Sequence, residues 1–127
     1  MNTLTVEWVE KAEGDFAILQ REWRVRKNPN YDGICFHAQQ CAEKYLKAIL
    51  QETGQPIERT HDLIALLNTV VAVAPLLESY RETMSHLSTY TIVFRYPGAS
   101  ATKEDAGDAR KLCTSVRDAI RQHLNCQ

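Results

Sequence analysis

The run Phe36-His37-Ala38-Gln39-Gln40-Cys41-Ala42-Glu43-Lys44-Tyr45-Leu46-Lys47-Ala48-Ile49-Leu50 constrains the fold more than any other part of the chain. Ile34, Ala38, Cys41, Tyr45, Ala48 and Ile49 recur at three- and four-residue steps, which predicts a helix with one stripe facing a core. Gln39, Gln40, Glu43, Lys44 and Lys47 fill the remaining positions and are expected on its surface. Glu43 and Lys47 also make a favourable i to i+4 pair, a sufficient local reason for both.

The segments around this helix read in the same way. Val9, Ala12, Phe16, Leu19 and Trp23 stripe a first helix, capped by Thr5 and running to about Arg26. Gly14 weakens it by roughly 1 kcal/mol relative to alanine, and close packing against a neighbour would explain its presence. Asn28-Pro29-Asn30 breaks the pattern, Asp32 can cap the second helix, and Gly54 with Pro56 ends it. Thr60 can cap a third helix bearing Leu63, Leu66, Leu67, Val70 and Val73. Pro75 stops it and opens a fourth, which carries Leu77, Tyr80, Met84, Leu87 and Thr91. The β-branched pair Ile92-Val93 leaves the end of that helix open. Arg95-Tyr96-Pro97-Gly98-Ala99-Ser100 is a loop, and Thr102 with Asp105 forms a capping box for a last helix striped by Ala106, Ala109, Cys113, Val116 and Ile120. Short joints and the lack of a convincing strand imply an all-α protein, an up-and-down bundle of four to five helices in a single domain over residues 1–127.

Composition excludes some functions. A formal charge of −1 argues against broad, nonspecific nucleic-acid binding. Arg21, Arg24, Arg26 and Lys27 cluster where the first helix ends, and complement its dipole there. The longest apolar run, residues 70–77, contains Pro75 and is too short to span a bilayer, so no membrane association is expected. Four cysteines without a C-x-x-C pair or a secretory signal read as reduced thiols in a cytoplasmic protein. His37 and Cys41 lie one turn apart, but no third or fourth metal ligand is evident from spacing, and no metal or other cofactor is expected.

Taken together, Trp8 with Ala12-Glu13-Gly14-Asp15-Phe16, the block from Cys35 to Ala48, His61-Asp62-Leu63, and Tyr90 followed by Arg95-Tyr96-Pro97 make the chain resemble the HEPN domain, a small helical family spread across higher eukaryotes and prokaryotes. The helix-two block is the specific part, and the order and spacing of the other pieces strengthen it. The resemblance implies a four- or five-helix bundle, often a homodimer, whose gene in bacteria and archaea commonly sits beside a minimal nucleotidyltransferase in a toxin–antitoxin-like pair. Some branches of the family are metal-independent ribonucleases marked by an Arg, four to six residues and a His. The branch with "RYP" after helix four, which this chain resembles most, generally lacks that motif and is associated with nucleotide binding.

Two stretches fit the bare ribonuclease spacing, Arg81 to His86 and Arg117 to His123. With nine Arg and four His in the chain, about one match arises by chance. Glu82 and Asp118 follow the arginines where a polar amide is usual, and an adjacent acid opposes a phosphate. Arg81 and His86 also lie roughly 140° apart on a regular helix. The loop residues Arg95 and Tyr96 are better placed, since a guanidinium beside an aromatic ring can hold a phosphate and stack a base. Arg95 could equally tie its loop to a helix end or an acidic side chain. His61-Asp62 is read as the first turn of the third helix, with Asp62 on its dipole.

Three functions are consistent with these residues. The first is a noncatalytic nucleotide- or phosphate-binding module that uses Gln40, Glu43, Lys44, Lys47, Arg95 and Tyr96. The second is a ribonuclease toxin acting on RNA through Arg81 and His86. The third is a purely structural dimerisation domain.

Overall fold

The sequence stripes become five α-helices in the computed structural model, which describes residues 1–126. They are α1 (Thr3–Trp23), α2 (Tyr31–Glu52), α3 (Leu63–Val70), α4 (Arg81–Ser88) and α5 (Lys103–His123). A 3₁₀ helix, Pro75–Tyr80, leads straight into α4, and a 3₁₀ turn, Thr89–Thr91, follows it. The single fourth helix expected from the sequence is thus three consecutive pieces, with Pro75 at the start. Ile92 and Val93 form no strand; they belong to an exposed turn. No strand occurs among the described residues, and no helix among them is long and apolar enough to cross a membrane.

α2 is the axis of the bundle, packing against α1, α5, α3 and α4. Its predicted stripe is buried throughout, and Cys35, Ala42, Leu46 and Leu50 are buried as well. A helix surrounded on this many sides would ordinarily be apolar all round. This one is not, and Gln39, Glu43 and Lys47 are buried too, at 1%, 4% and 7% exposure. The expectation that the polar residues of α2 form a solvated face is therefore corrected: α3 and the chain leading into it cover part of that face.

Three helix starts also differ from the sequence reading, each because a neighbour supplies a better cap. Asn2, not Thr5, caps α1. Its Oδ1 accepts from the Thr5 amide at 2.8 Å, and its own amide donates to Glu52 Oε1 at 2.9 Å, pinning the start of α1 to the end of α2. Asn30 rather than Asp32 caps α2, while Asp32 Oδ1 accepts from the Ala101 amide at 2.7 Å and holds the far end of the 95–102 loop. Asp62 replaces Thr60 at the start of α3. The capping box of Thr102 and Asp105 is present as read, and Gly54, at φ +68°, ends α2 in the left-handed conformation.

Gly14 does not serve close packing. A Cβ there would meet nothing within 4 Å. Gly14→Ala is therefore expected to stabilise the protein by about 1 kcal/mol through helix propensity and a less flexible unfolded chain. Thermal unfolding should show this as a rise of about 4 °C.

Candidate functional site

Two carboxylates of α1 organise the side of α2 that faces it. Glu13 receives both Arg117 Nε and Nη2 at 2.7 Å, together with the Tyr45 hydroxyl. Arg121 Nη1 reaches the same hydroxyl at 3.2 Å, and the Arg117 guanidinium lies 4.3 Å over the Phe16 ring. Arg117 is therefore fully occupied in joining α5 to α1. Asp15 accepts from Lys44 Nζ at 2.6 Å and pairs with His37 Nδ1 at 2.7 Å. Lys44, a sequence candidate for ligand binding, is thereby a clamp between α1 and α2, and His37 is turned away from Cys41 toward a carboxylate. Among the described residues no group of three or more His, Cys, Asp or Glu is placed to hold a metal ion.

Burial alone would raise the carboxyls of Asp15 and Glu13. The hydrogen bonds of His37 and Lys44 to the first, and of Arg117 and Tyr45 to the second, outweigh it and hold both below their ordinary values. A depressed native value means stability that is complete above the unfolded-state value and is lost as pH falls through the native one. Stability should be held above about pH 5 and decline at lower pH, where these groups take up protons. Denaturant unfolding between pH 6 and pH 2 should show a shallower decline in Asp15→Asn than in the wild type.

The opposite side of α2 differs in kind. Glu43 Oε2 accepts from Lys47 Nζ at 3.0 Å, and Glu43 Oε1 pairs with His61 Nδ1 at 2.8 Å. Gln39 Nε2 donates to the same Oε1 at 3.2 Å and to the His61 carbonyl at 2.9 Å. Gln40 Nε2 donates to Gln39 Oε1 at 2.7 Å, and Lys47 Nζ also stands 5.7 Å from the centre of the Trp8 ring. Glu43 and Lys47, both sequence candidates, are thus a buried pair whose far end fixes an imidazole. The His61 side chain is 62% exposed although its carboxylate partner is only 5% exposed. Sequence reasoning placed His61 in a helix turn. Nothing local signals its pairing with a residue eighteen positions earlier in the chain.

His61 borders two adjoining depressions. One, of about 120 Å³, is lined by Phe36, Gln39, Gln40, His61, Thr91 and Arg95. The other, of about 480 Å³, shares His61 and Thr91 with it and continues past Asp62, Ile64, Ser85 and Ile92. The Arg95 amide donates to the Ile92 carbonyl at 3.2 Å, but its guanidinium has no hydrogen bond or ion pair among the described residues, in contrast to those of Arg81, Arg117 and Arg121. The structure therefore brings Gln40 and Arg95 together with Glu43 behind His61, and leaves Lys44 and Lys47 outside the cleft. Tyr96, 67% exposed, stands beside Arg95 in the loop but does not line either depression.

The ribonuclease spacing does not assemble a pair. Arg81 donates through Nε and Nη2 to Glu78 at 2.6 and 2.8 Å and through Nη1 to Asn68 at 2.9 Å. His86 Nε2 instead lies 2.9 Å from the Tyr90 hydroxyl. The four cysteines are free thiols. Burial, with the charges of Asp105 and Asp32, pushes Cys35 up to about 12, so it stays protonated and unreactive.

Comparison with known proteins agrees with this architecture. TT1696 from Thermus thermophilus superposes with a TM-score of 0.81 at 24% identity, covering 93% of this chain and 96% of that one. ST0689, described as an archaeal HEPN homologue, superposes with a TM-score of 0.73 at 24% identity, covering 94% and 96%. These likenesses concern the fold. A protein of Methanocaldococcus jannaschii that bears the name "Putative toxin MJ1304" is 25% identical over 134 residues, 92% of this chain and 86% of its own length. The model of the HEPN domain matches residues 5–123, nearly the whole sequence, and the chain belongs to the HEPN family.

Proposed function

We propose that this protein is a noncatalytic binding module that takes a nucleotide or another phosphate-bearing ligand in the cleft between α2, the start of α3 and the 89–97 turn. The observation that carries this reading is Arg95, a guanidinium without a partner among the described residues, in a depression that also presents Phe36, Gln40 and His61. Guanidinium groups bind phosphate oxygens in pairs. The other arginine of interest, Arg81, is already satisfied by Glu78 and Asn68, which weighs against a ribonuclease centre at Arg81 and His86.

The relative's name as a toxin and the family resemblance support a two-gene, toxin–antitoxin-like setting. In that setting the module forms a homodimer and pairs with a minimal nucleotidyltransferase. Co-expression with the product of the adjacent gene, followed by size-exclusion chromatography, tests this part. A stable mixed complex supports it, and separate elution refutes it.

The ligand is tested by thermal unfolding against a panel of nucleotides. A ligand at a hundred times its Kd should stabilise the wild type by about 2.7 kcal/mol. Arg95→Ala should abolish that shift while leaving the unliganded Tm within a degree or two, since the Arg95 side chain has no partner among the described residues. Equal shifts in the two proteins would remove Arg95 from the site.

A further inference from the structure

The two adjoining depressions differ in size and in charge, and the difference selects among phosphate ligands. The smaller, at about 120 Å³, falls well below the roughly 300 Å³ at which small-molecule pockets begin. It can take a phosphate group but not a whole nucleotide. It is the more enclosed of the two, and it presents the Arg95 guanidinium and the His61 imidazole with no carboxylate in its lining. The larger, at about 480 Å³, carries a carboxylate, Asp62, between the apolar side chains Ile64 and Ile92 and the hydroxyls Ser85 and Thr89. A phosphate is repelled there, whereas an aromatic or sugar body is accommodated.

The two depressions meet at His61 and Thr91, so one ligand can extend from the smaller into the larger.

Resting on the proposed binding function, we infer that the ligand is a phosphomonoester of the nucleoside 5′-monophosphate class. Its terminal phosphate sits against Arg95 and His61, its ester arm passes Thr91, and its nucleoside lies in the larger groove. Glu43 and the two glutamines exist in this scheme to aim His61. With Nδ1 held by the buried carboxylate at 2.8 Å, the ring in its charged form offers Nε2–H to a ligand oxygen. A terminal phosphate carries about −1.5 to −2 charge and three oxygens without a second substituent. Arg95 takes two of these and His61 the third. A phosphodiester carries one charge and only two oxygens without a second substituent, so it cannot satisfy both Arg95 and His61 in this way.

Isothermal titration with AMP, GMP, CMP and UMP, the corresponding 3′,5′-cyclic monophosphates and the parent nucleosides tests the inference. The wild type should bind its best 5′-monophosphate at least tenfold more tightly than the cyclic form, and bind the nucleoside more weakly still. His61→Gln, exposed enough to leave the fold intact, should lose about tenfold for the monoester and little for the cyclic diester. Equal affinity for monoester and cyclic diester, or wild-type binding by His61→Gln, overturns the inference. If such binding is still abolished by Arg95→Ala, the binding function survives that result. If no phosphate ligand binds the wild type, both fall together.

Discussion

Glu43→Ala should unfold the protein at a temperature more than 10 °C below the wild type, a loss of about 3–5 kcal/mol. The size of the effect comes from what is left behind. Glu43 is 5% exposed and receives Lys47, His61, Gln39 and Gln40, while Lys47 itself is 9% exposed. Removing the carboxylate strands an ammonium group in the interior, and that penalty far exceeds the net worth of the ion pair when intact. The double substitution Glu43→Leu with Lys47→Met should therefore recover much of the loss, because an apolar pair of similar volume needs no compensation. Denaturant unfolding of the wild type, Glu43→Leu, Lys47→Met and the double variant gives the coupling directly. A cost below 1 kcal/mol for Glu43→Ala would mean that Lys47 reaches water through its long stem, and the pair would then be no part of the core.

Tyr45→Ala should cost about 3–5 kcal/mol, the usual range for deleting a large buried ring. Tyr45 has no exposed surface and stands where α2 meets both α1 and α5. Its hydroxyl donates to Glu13 and accepts from Arg121, so the ring and its polar tip can be separated experimentally. Tyr45→Phe keeps the packing and loses the hydroxyl alone. Glu13 still holds the bidentate Arg117, and the expected cost is about 1–2 kcal/mol. Chemical denaturation of both variants distinguishes the contributions. If Phe cost as much as Ala, the link between Glu13 and Arg121 rather than the buried ring would hold the three helices together.

Much of this fold is legible in the chain, because helix formation leaves a local imprint. The stripe of α2, the breaks at Asn28-Pro29 and Gly54, the capping box at Thr102 and the loop at Pro97-Gly98 all follow from three- and four-residue spacing or from residues with restricted backbone choices. The caps at Asn2, Asn30 and Asp62 were less legible, since several polar residues precede each helix and the choice depends on what else each one touches. The long run after Pro75 read as one helix, yet it divides at Arg81, where the 3₁₀ turn gives way to α4.

The candidate site divides along the same line. Arg95 stood out in sequence because a loop arginine beside Tyr-Pro-Gly has no helix periodicity to explain it. The polar residues of α2 were visible as a set, but a single helix cannot reveal which of them another element will cover. Spacing along one helix determined that Gln39, Gln40, Glu43, Lys44 and Lys47 share its polar surface. Only the tertiary structure decided that Lys44 answers Asp15 on α1, that Lys47 and Glu43 are buried between the Trp8 ring of α1 and His61 ahead of α3, and that Glu43 holds His61 beside Arg95. The physical reason is that periodicity records what a segment does to itself, whereas burial and partner choice are set by elements tens of residues away in the chain.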